Sequence, residues 1–211
     1  MRKTPKPLLL PGGGYRRLKS FQIARLVYDL TCRFVELYVD PASRTCDQMT
    51  QAARSGVQNI AEGSVDGRTS RKLELNLTNV ARGSLEELKL DYEDFLRQRN
   101  LAPWPSLHPA LIRLRELRIS TLADFQEWVA WSRAETSAAY SEIAANGILS
   151  LLNLAILLLE RQLAAQVRGF ERNGGFSEHF SGVRKRAFSG CRSRRVFSRR
   201  GTGCGRVRPS G

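Results

Sequence analysis

Apolar positions along this chain recur with the 3.6-residue period of helices, and no run alternates as a half-buried strand would. The first periodic segment spans about residues 15–39, where Ile23, Leu26, Val27, Leu30, Phe34 and Leu37 share one face. Asp40-Pro41 ends it, because a residue before proline is driven out of the helical region. Ser43 is placed to cap a second helix whose inner positions are Met49, Ala52, Ala53, Gly56 and Ile60. Such small residues let a neighbouring backbone come close, and Gly63 reads as the left-handed stop of this helix. A third helix is predicted from about Ser70 to Gln98, with Leu73, Leu77, Val80, Ser84, Leu88, Tyr92 and Phe95 inward. At 1.5 Å per residue it is about 43 Å long, which suits rods lying side by side.

Residues 100–106 carry Pro103 and Pro105 and read as irregular. A short helix over about 109–117 opens on Pro109, and another follows Ser120 or Thr121 with Phe125, Trp128 and Val129 inward, reaching Tyr140 or Ile143. Trp131 falls at the edge of that face, where a neighbouring subunit would cover it. The last helix is predicted over about 145–168. Its stretch Ile143–Leu159 has no charge, yet Asn146, Ser150, Asn153 and Glu160 line one stripe. A spanning helix needs about 20 mostly apolar residues, so this one reads as a core helix and no membrane partner is expected. The fold class is all-α. Beyond Gly169 periodicity vanishes, and residues 181–211 are Arg, Ser and Gly with isolated Phe, a composition too poor in apolar surface to order alone.

The 211 residues are 42% hydrophobic and 26% charged, which fits one domain with appendages and excludes collagen, wholesale disorder and a multi-span membrane protein. The formal charge of +14 is unevenly placed. Residues 1–19 hold six basic groups and no acid, and residues 169–211 hold eleven against Glu171 and Glu178. The stretch between them, with 17 basic and 18 acidic groups, is nearly neutral. Cationic ends on a neutral body are therefore predicted: a flexible basic leader over 1–14, a helical body over 15–168 and a basic tail over 169–211.

Catalysis finds little support in the residues. His108 precedes a proline and His179 lies in the tail; acids such as Glu86/Glu87 and Glu93/Asp94 are consecutive and so splay apart on a helix. No Glu-x-x-His pair offers a carboxylate metal site, and Cys191 and Cys204 lack the His ligands of a zinc module. Gly12–Gly14 and the glycines at 201, 203 and 205 lack the Lys-Ser/Thr of a phosphate loop. No enzyme activity, metal or cofactor is expected. Cys32, Cys46, Cys191 and Cys204 show no paired spacing, and the apolar run Leu8–Leu10 is too short for an export signal, so the cytoplasm is the expected location.

The tail is the strongest functional lead. Arg184, Lys185, Arg186, Arg192, Arg194, Arg195, Arg199 and Arg200 are interleaved with Phe188 and Phe197, a pattern that tracks phosphates by charge and stacks bases on rings. RNA or DNA, bound without sequence preference and with steep salt dependence, is the partner this implies. The competing reading is a protein-interaction module in which the inserted helices over 107–144 and the C-terminal motif hold a partner and the basic tail is incidental.

Two motifs in fixed order carry a resemblance. Ser55-Gly56-Val57-Gln58-Asn59-Ile60-Ala61-Glu62-Gly63 comes first, and Gly83-Ser84-Leu85-Glu86-Glu87-Leu88 comes second. Together they resemble a bacterial four-helix bundle family that includes proteins encoded in intervening sequences of 23S ribosomal RNA genes. Its pattern reads Ser-Ile-Pro-x-Asn-Ile-Ala-Glu-Gly and then Gly-Ser-x-x-Glu-Leu; Asn59–Gly63 match in full, while Gly56-Val57 replace Ile-Pro. Leu159–Leu163 and Gly174-Gly175-Phe176-Ser177-Glu178 resemble the variant with a C-terminal suffix. The resemblance implies an up-down four-helix bundle, a homopentamer, no enzymatic activity and an insertion over about 101–144. A related bundle, from diversity-generating retroelements, binds nucleic acid. The motif residues Asn59, Glu62, Gly63, Gly83, Ser84 and Glu87 read as architecture. Asn59 would bond a neighbouring backbone, Glu62 would pair with Arg54 or Arg82, and Gly83 and Ser84 would admit a close crossing against Ala52, Ala53 and Gly56.

Overall fold

A computed structural model describes residues 14–173. Every regular element among them is helical: α1 (Lys19–Tyr38), α2 (Arg44–Asp66), α3 (Arg71–Gln98), α4 (Pro109–Leu117), α5 (Leu122–Thr136) and α6 (Tyr140–Asn173), after a single 3-10 turn at Tyr15–Arg17. The all-α class read from periodicity is the one found.

Hydroxyl caps start three of these helices. Ser43 Oγ accepts from the Thr45 N–H at 3.2 Å and Ser70 Oγ from the Leu73 N–H at 3.2 Å. Thr121 and Asp124 form a reciprocal capping box, in which the carboxylate accepts from the backbone N–H groups of Ser120 and Thr121. Those donated bonds, the Ser120 one foremost, hold the Asp124 carboxyl below its ordinary range. Caps of this kind stabilise a helix by about 1 kcal/mol each.

Helix ends depart from the periodicity in three places. The first α-helix starts at Lys19, because the preceding turn is 3-10. Gly63 does not stop α2; it is buried inside the helix, where an added Cβ would lie 3.2 Å from Leu77 Cβ and 3.4 Å from the Glu74 carbonyl oxygen. The actual cap is Gly67, in right-handed conformation at φ −55°. Finally, α5 closes at Thr136 because Ser137 turns left-handed at φ 56°, so α6 begins at Tyr140, earlier than expected, and runs past Arg168 to Asn173.

All six helices contribute to the core, and α1, α2, α3 and α6 pack against one another most extensively. α2 and α6 each pack against both α1 and α3. Gly56 faces Leu85 and Gly63 faces Leu77, which sets α2 antiparallel to α3. Ser20 Oγ donates to Gln162 Oε1 at 2.7 Å, which sets α6 antiparallel to α1. Across the middle, Tyr92 donates its buried hydroxyl to Thr31 Oγ1 at 3.1 Å, and Phe34 meets the rings of Tyr92 and Phe95 edge-on at 4.9 and 4.8 Å. Burial holds the Tyr92 hydroxyl far above its ordinary value, so it stays a neutral donor.

The inner face of α3 includes Leu88, Tyr92 and Phe95 as expected, but over the first half of the helix it is not the one read from Leu73, Leu77, Val80 and Ser84. Thr78, Ala81, Leu85, Leu88, Tyr92, Phe95 and Leu96 are buried, whereas Leu73 and Val80 are 40% and 50% exposed. Counting back from Phe95, the true stripe keeps a spacing near 3.5 residues, as packed antiparallel helices require, and misses the 73–77–80–84 stripe by one residue. Small Ala81 sits where α2 comes closest, over Gly56. Leu37 is likewise half exposed rather than internal.

Helix α6 is long and apolar enough to cross a membrane by length and composition, but 61% of that window is buried within the fold. Ile143, Ile148, Leu152, Ala155 and Leu159 lie in the core, so packing accounts for its apolar character. The segment between α3 and α6 is fastened to α1 and α6. Trp128, 1% exposed, donates its indole N–H to the Ala110 carbonyl at 2.9 Å and rests with Phe125 on the bare backbone of Gly147.

Candidate functional site

The family-like motifs meet at the α2–α3 seam. Ser55 and Ser84 join their hydroxyls across it at 3.0 Å, and Asn59 Nδ2 donates to the Ser55 carbonyl at 2.9 Å and to Ser55 Oγ at 3.1 Å. Asn59 therefore braces its own helix, and reaches α3 only through Ser55. Ser84 also donates to the Val80 carbonyl, closing a small hydrogen-bonded network.

Two expectations for this seam fail. Glu62 is exposed and pairs with neither Arg54 nor Arg82; Arg82 instead faces Glu86 one turn along its own helix at 4.0 Å. Gly83 admits no crossing, because it faces outward with no atom within 4 Å of where a Cβ would stand. The close approach belongs to Gly56 and Gly63. A Gly83→Ala substitution should therefore stabilise the protein by about 0.5–1 kcal/mol, the gain of alanine over glycine in an exposed helix interior, seen as a higher urea midpoint. Glu87 is exposed, but its neighbour Asp91 is half-buried, and burial, then Glu87 and Asp94, raise its carboxyl above the ordinary range.

Among the described residues no three His, Cys, Asp or Glu side chains cluster as metal ligands, at this seam or elsewhere. His108 caps α4, accepting the Ala110 N–H on Nδ1 at 3.3 Å while its ring stacks on Trp104 at 4.0 Å. Cys32 and Cys46 are free thiols. The predicted nucleic-acid residues Arg184, Lys185, Arg186, Arg192, Arg194, Arg195, Arg199 and Arg200 lie outside the described residues, as do the suffix motif at 174–178, the leader up to residue 13, His179, Cys191 and Cys204.

The segment between α3 and α6 builds a feature that sequence reasoning missed. Asn146, read as part of a polar stripe, is 3% exposed and works as a clamp. Its Oδ1 accepts the Trp104 N–H at 2.7 Å, while its Nδ2 donates to the Ala102 and Glu142 carbonyls at 3.0 Å each. Trp104 adds a bond from its indole N–H to Glu142 at 3.1 Å. The pinned segment, α4 and the end of α3 then wall a groove along α6. Its larger part is a 760 Å³ cavity over Leu149, Leu154 and Leu157; a 510 Å³ cavity continues it towards the first turns of α1. Only the irregular segment over residues 100–106 and the uncharged stretch Ile143–Leu159 of α6 hinted at it in sequence. Of the other tryptophans, Trp128 is core and Trp131 is 39% exposed beside Arg113. Comparisons with family models, with curated proteins and with solved structures find no match for this chain.

Proposed function

We propose that this protein is a non-enzymatic cytoplasmic scaffold that binds RNA or DNA without sequence preference through its Arg-rich C-terminal tail. In this reading α1, α2, α3 and α6 form an up-down four-helix bundle that self-associates, with five copies as the resemblance to the ribosomal intervening-sequence family implies. Several tails on one particle would bind a single polyanion with an avidity beyond that of any one tail.

The observation that carries the reading is the segregation of charge. Every ion pair among the described residues joins positions three or four apart on one helix, such as Arg33–Glu36 and Arg97–Asp94, and the stretch from 20 to 168, with 17 basic and 18 acidic groups, is nearly neutral. Residues 184–200, by contrast, hold eight basic groups, and no acid occurs after Glu178.

The test compares the full chain with one ending at residue 180, by fluorescence anisotropy on single-stranded RNA and duplex DNA over a salt series. The full chain should bind both, with log K falling by about 0.7 to 0.9 per contacted phosphate for each decade of salt. The shortened chain should lose at least about tenfold in affinity and most of that slope. Native mass should be five times the 23.7 kDa of one chain. Unchanged binding by the shortened chain would reject the tail as the site.

A second reading, a protein-interaction module with no nucleic-acid role, draws on the outer side of the inserted segment. Leu107, Ile112, Leu117 and Trp131 are 77%, 38%, 45% and 39% exposed there. Absence of any nucleic-acid binding by the full chain would favour it.

A further inference from the structure

The two cavities along α6 share Arg115, Ser150 and Leu154, which makes them one continuous groove. Its floor includes Leu154 and Leu157, 40% and 41% exposed on the most apolar helix of the chain. Each part lies within the roughly 300–1,000 Å³ of sites that hold small molecules. Trp104, fixed by the Asn146 clamp, lines the larger part.

The near end is cationic. Lys19, Arg115 and Arg118 line it, all three exposed, and none has a carboxylate within ion-pair distance among the described residues. This sets them apart from Arg82, Lys89 and Arg97 of α3, which all have one. Lys19 uses one donor on Gln22 at 3.0 Å and Arg115 one on the Ser106 carbonyl at 2.7 Å, leaving donors of both groups open to solvent. Arg118 makes no side-chain bond among the described residues and stands after α4 in a left-handed conformation at φ 49°.

We infer that this groove binds a single-chain anionic amphiphile, a medium- or long-chain carboxylate whose head sits among Lys19, Arg115 and Arg118 and whose chain lies over Leu154 towards Trp104. Charge decides against the chain's own ends as occupants. The leader and the tail are both cationic, so either would bring like charge to a cationic mouth. An apolar chain with one anionic end matches the leucine floor and the cationic mouth, since Glu93 and Arg97, which also line the larger part, are each engaged in an ion pair along α3.

Calorimetric titration of the full chain with dodecanoate, below its micelle concentration, tests this. One site per chain is expected. Dodecyltrimethylammonium and dodecanol should bind at least about tenfold more weakly, since each lacks the charge-assisted bonds at the head. Octanoate, four methylenes shorter, should bind on the order of a hundredfold more weakly. Lys19→Ala with Arg118→Ala, and separately Leu154→Asn, should each raise the Kd about tenfold while leaving the thermal melt in place, because all three side chains are exposed. Equal binding of the three head groups, or binding untouched by both variants, would overturn the proposal. So would a Leu154→Asn chain that changes oligomeric state while wild type takes up no dodecanoate; the groove would then be an interface between copies.

Discussion

Replacing Gly147 with alanine is expected to destabilise the protein by about 3 kcal/mol, read as a fall in the urea midpoint at unchanged slope. A Cβ at this position would lie 2.5 Å from Cζ3 and 2.8 Å from Cη2 of Trp128, and 2.9 Å from Cε2 of Phe125. Neither ring can yield cheaply. Trp128 is 1% exposed and Phe125 4%, and the indole is also held by its bond to the Ala110 carbonyl. Relief requires α5 to lift from α6, which breaks that bond and wets both rings, or α6 to bend within its tightly packed stretch. A red shift of tryptophan emission at low urea would mark the first route. Gly169→Ala is the control: nothing lies within 4 Å of its added Cβ, so it should be neutral or slightly stabilising.

Asn146→Ala is expected to cost about 2–3 kcal/mol, because it leaves the Trp104 N–H and the Ala102 carbonyl without their partner beside a buried site. Asn146→Asp should cost more at neutral pH. It keeps the acceptor for Trp104 but loses both donors, and it sets a buried negative charge against two carbonyl oxygens and near the Glu142 carboxylate. Such a carboxyl has a folded-state pKa raised above its unfolded value. The favourable, protonated state is complete below the unfolded value of about 4 and is lost as pH rises through the folded one. Stability of Asn146→Asp should therefore recover towards wild type as pH falls to about 4, while Asn146→Ala shows no such recovery. Urea melts of the two variants at pH 4 and pH 7 separate them.

These two residues show where sequence reading stops. Helix starts were legible because Ser43, Ser70 and Thr121 act locally, on N–H groups two or three residues away. The α1 core positions Leu26, Val27, Leu30 and Phe34 were legible too, since a single apolar stripe leaves one choice of inner face. α3 was read correctly at Leu88, Tyr92 and Phe95, but over its first half Leu73 and Leu77 drew the stripe to the wrong face; the choice there depends on where α2 comes nearest, which small residues mark better than large ones. Gly63 sat where a cap is common, but its role is steric and set by Leu77 on another helix. The need for glycine at 147 comes from rings 19 and 22 residues earlier, and the duty of Asn146 from carbonyls and N–H groups some forty residues earlier. The motif at the α2–α3 seam pointed to a contact between the right helices while misplacing which glycine makes it.

The bond between Ser20 and Gln162 has a further meaning. Because α1 and α6 are antiparallel neighbours, the N-terminal and C-terminal stretches of chain are attached at the same pole, one at Lys19 and the other at Asn173. The first 19 residues and the last 43 carry the surplus positive charge, so that charge is tethered to the helical body at one pole. A polyanion approaching within a Debye length, about 8–10 Å at physiological salt, would feel a torque that turns this pole towards it, and encounters would begin end-on.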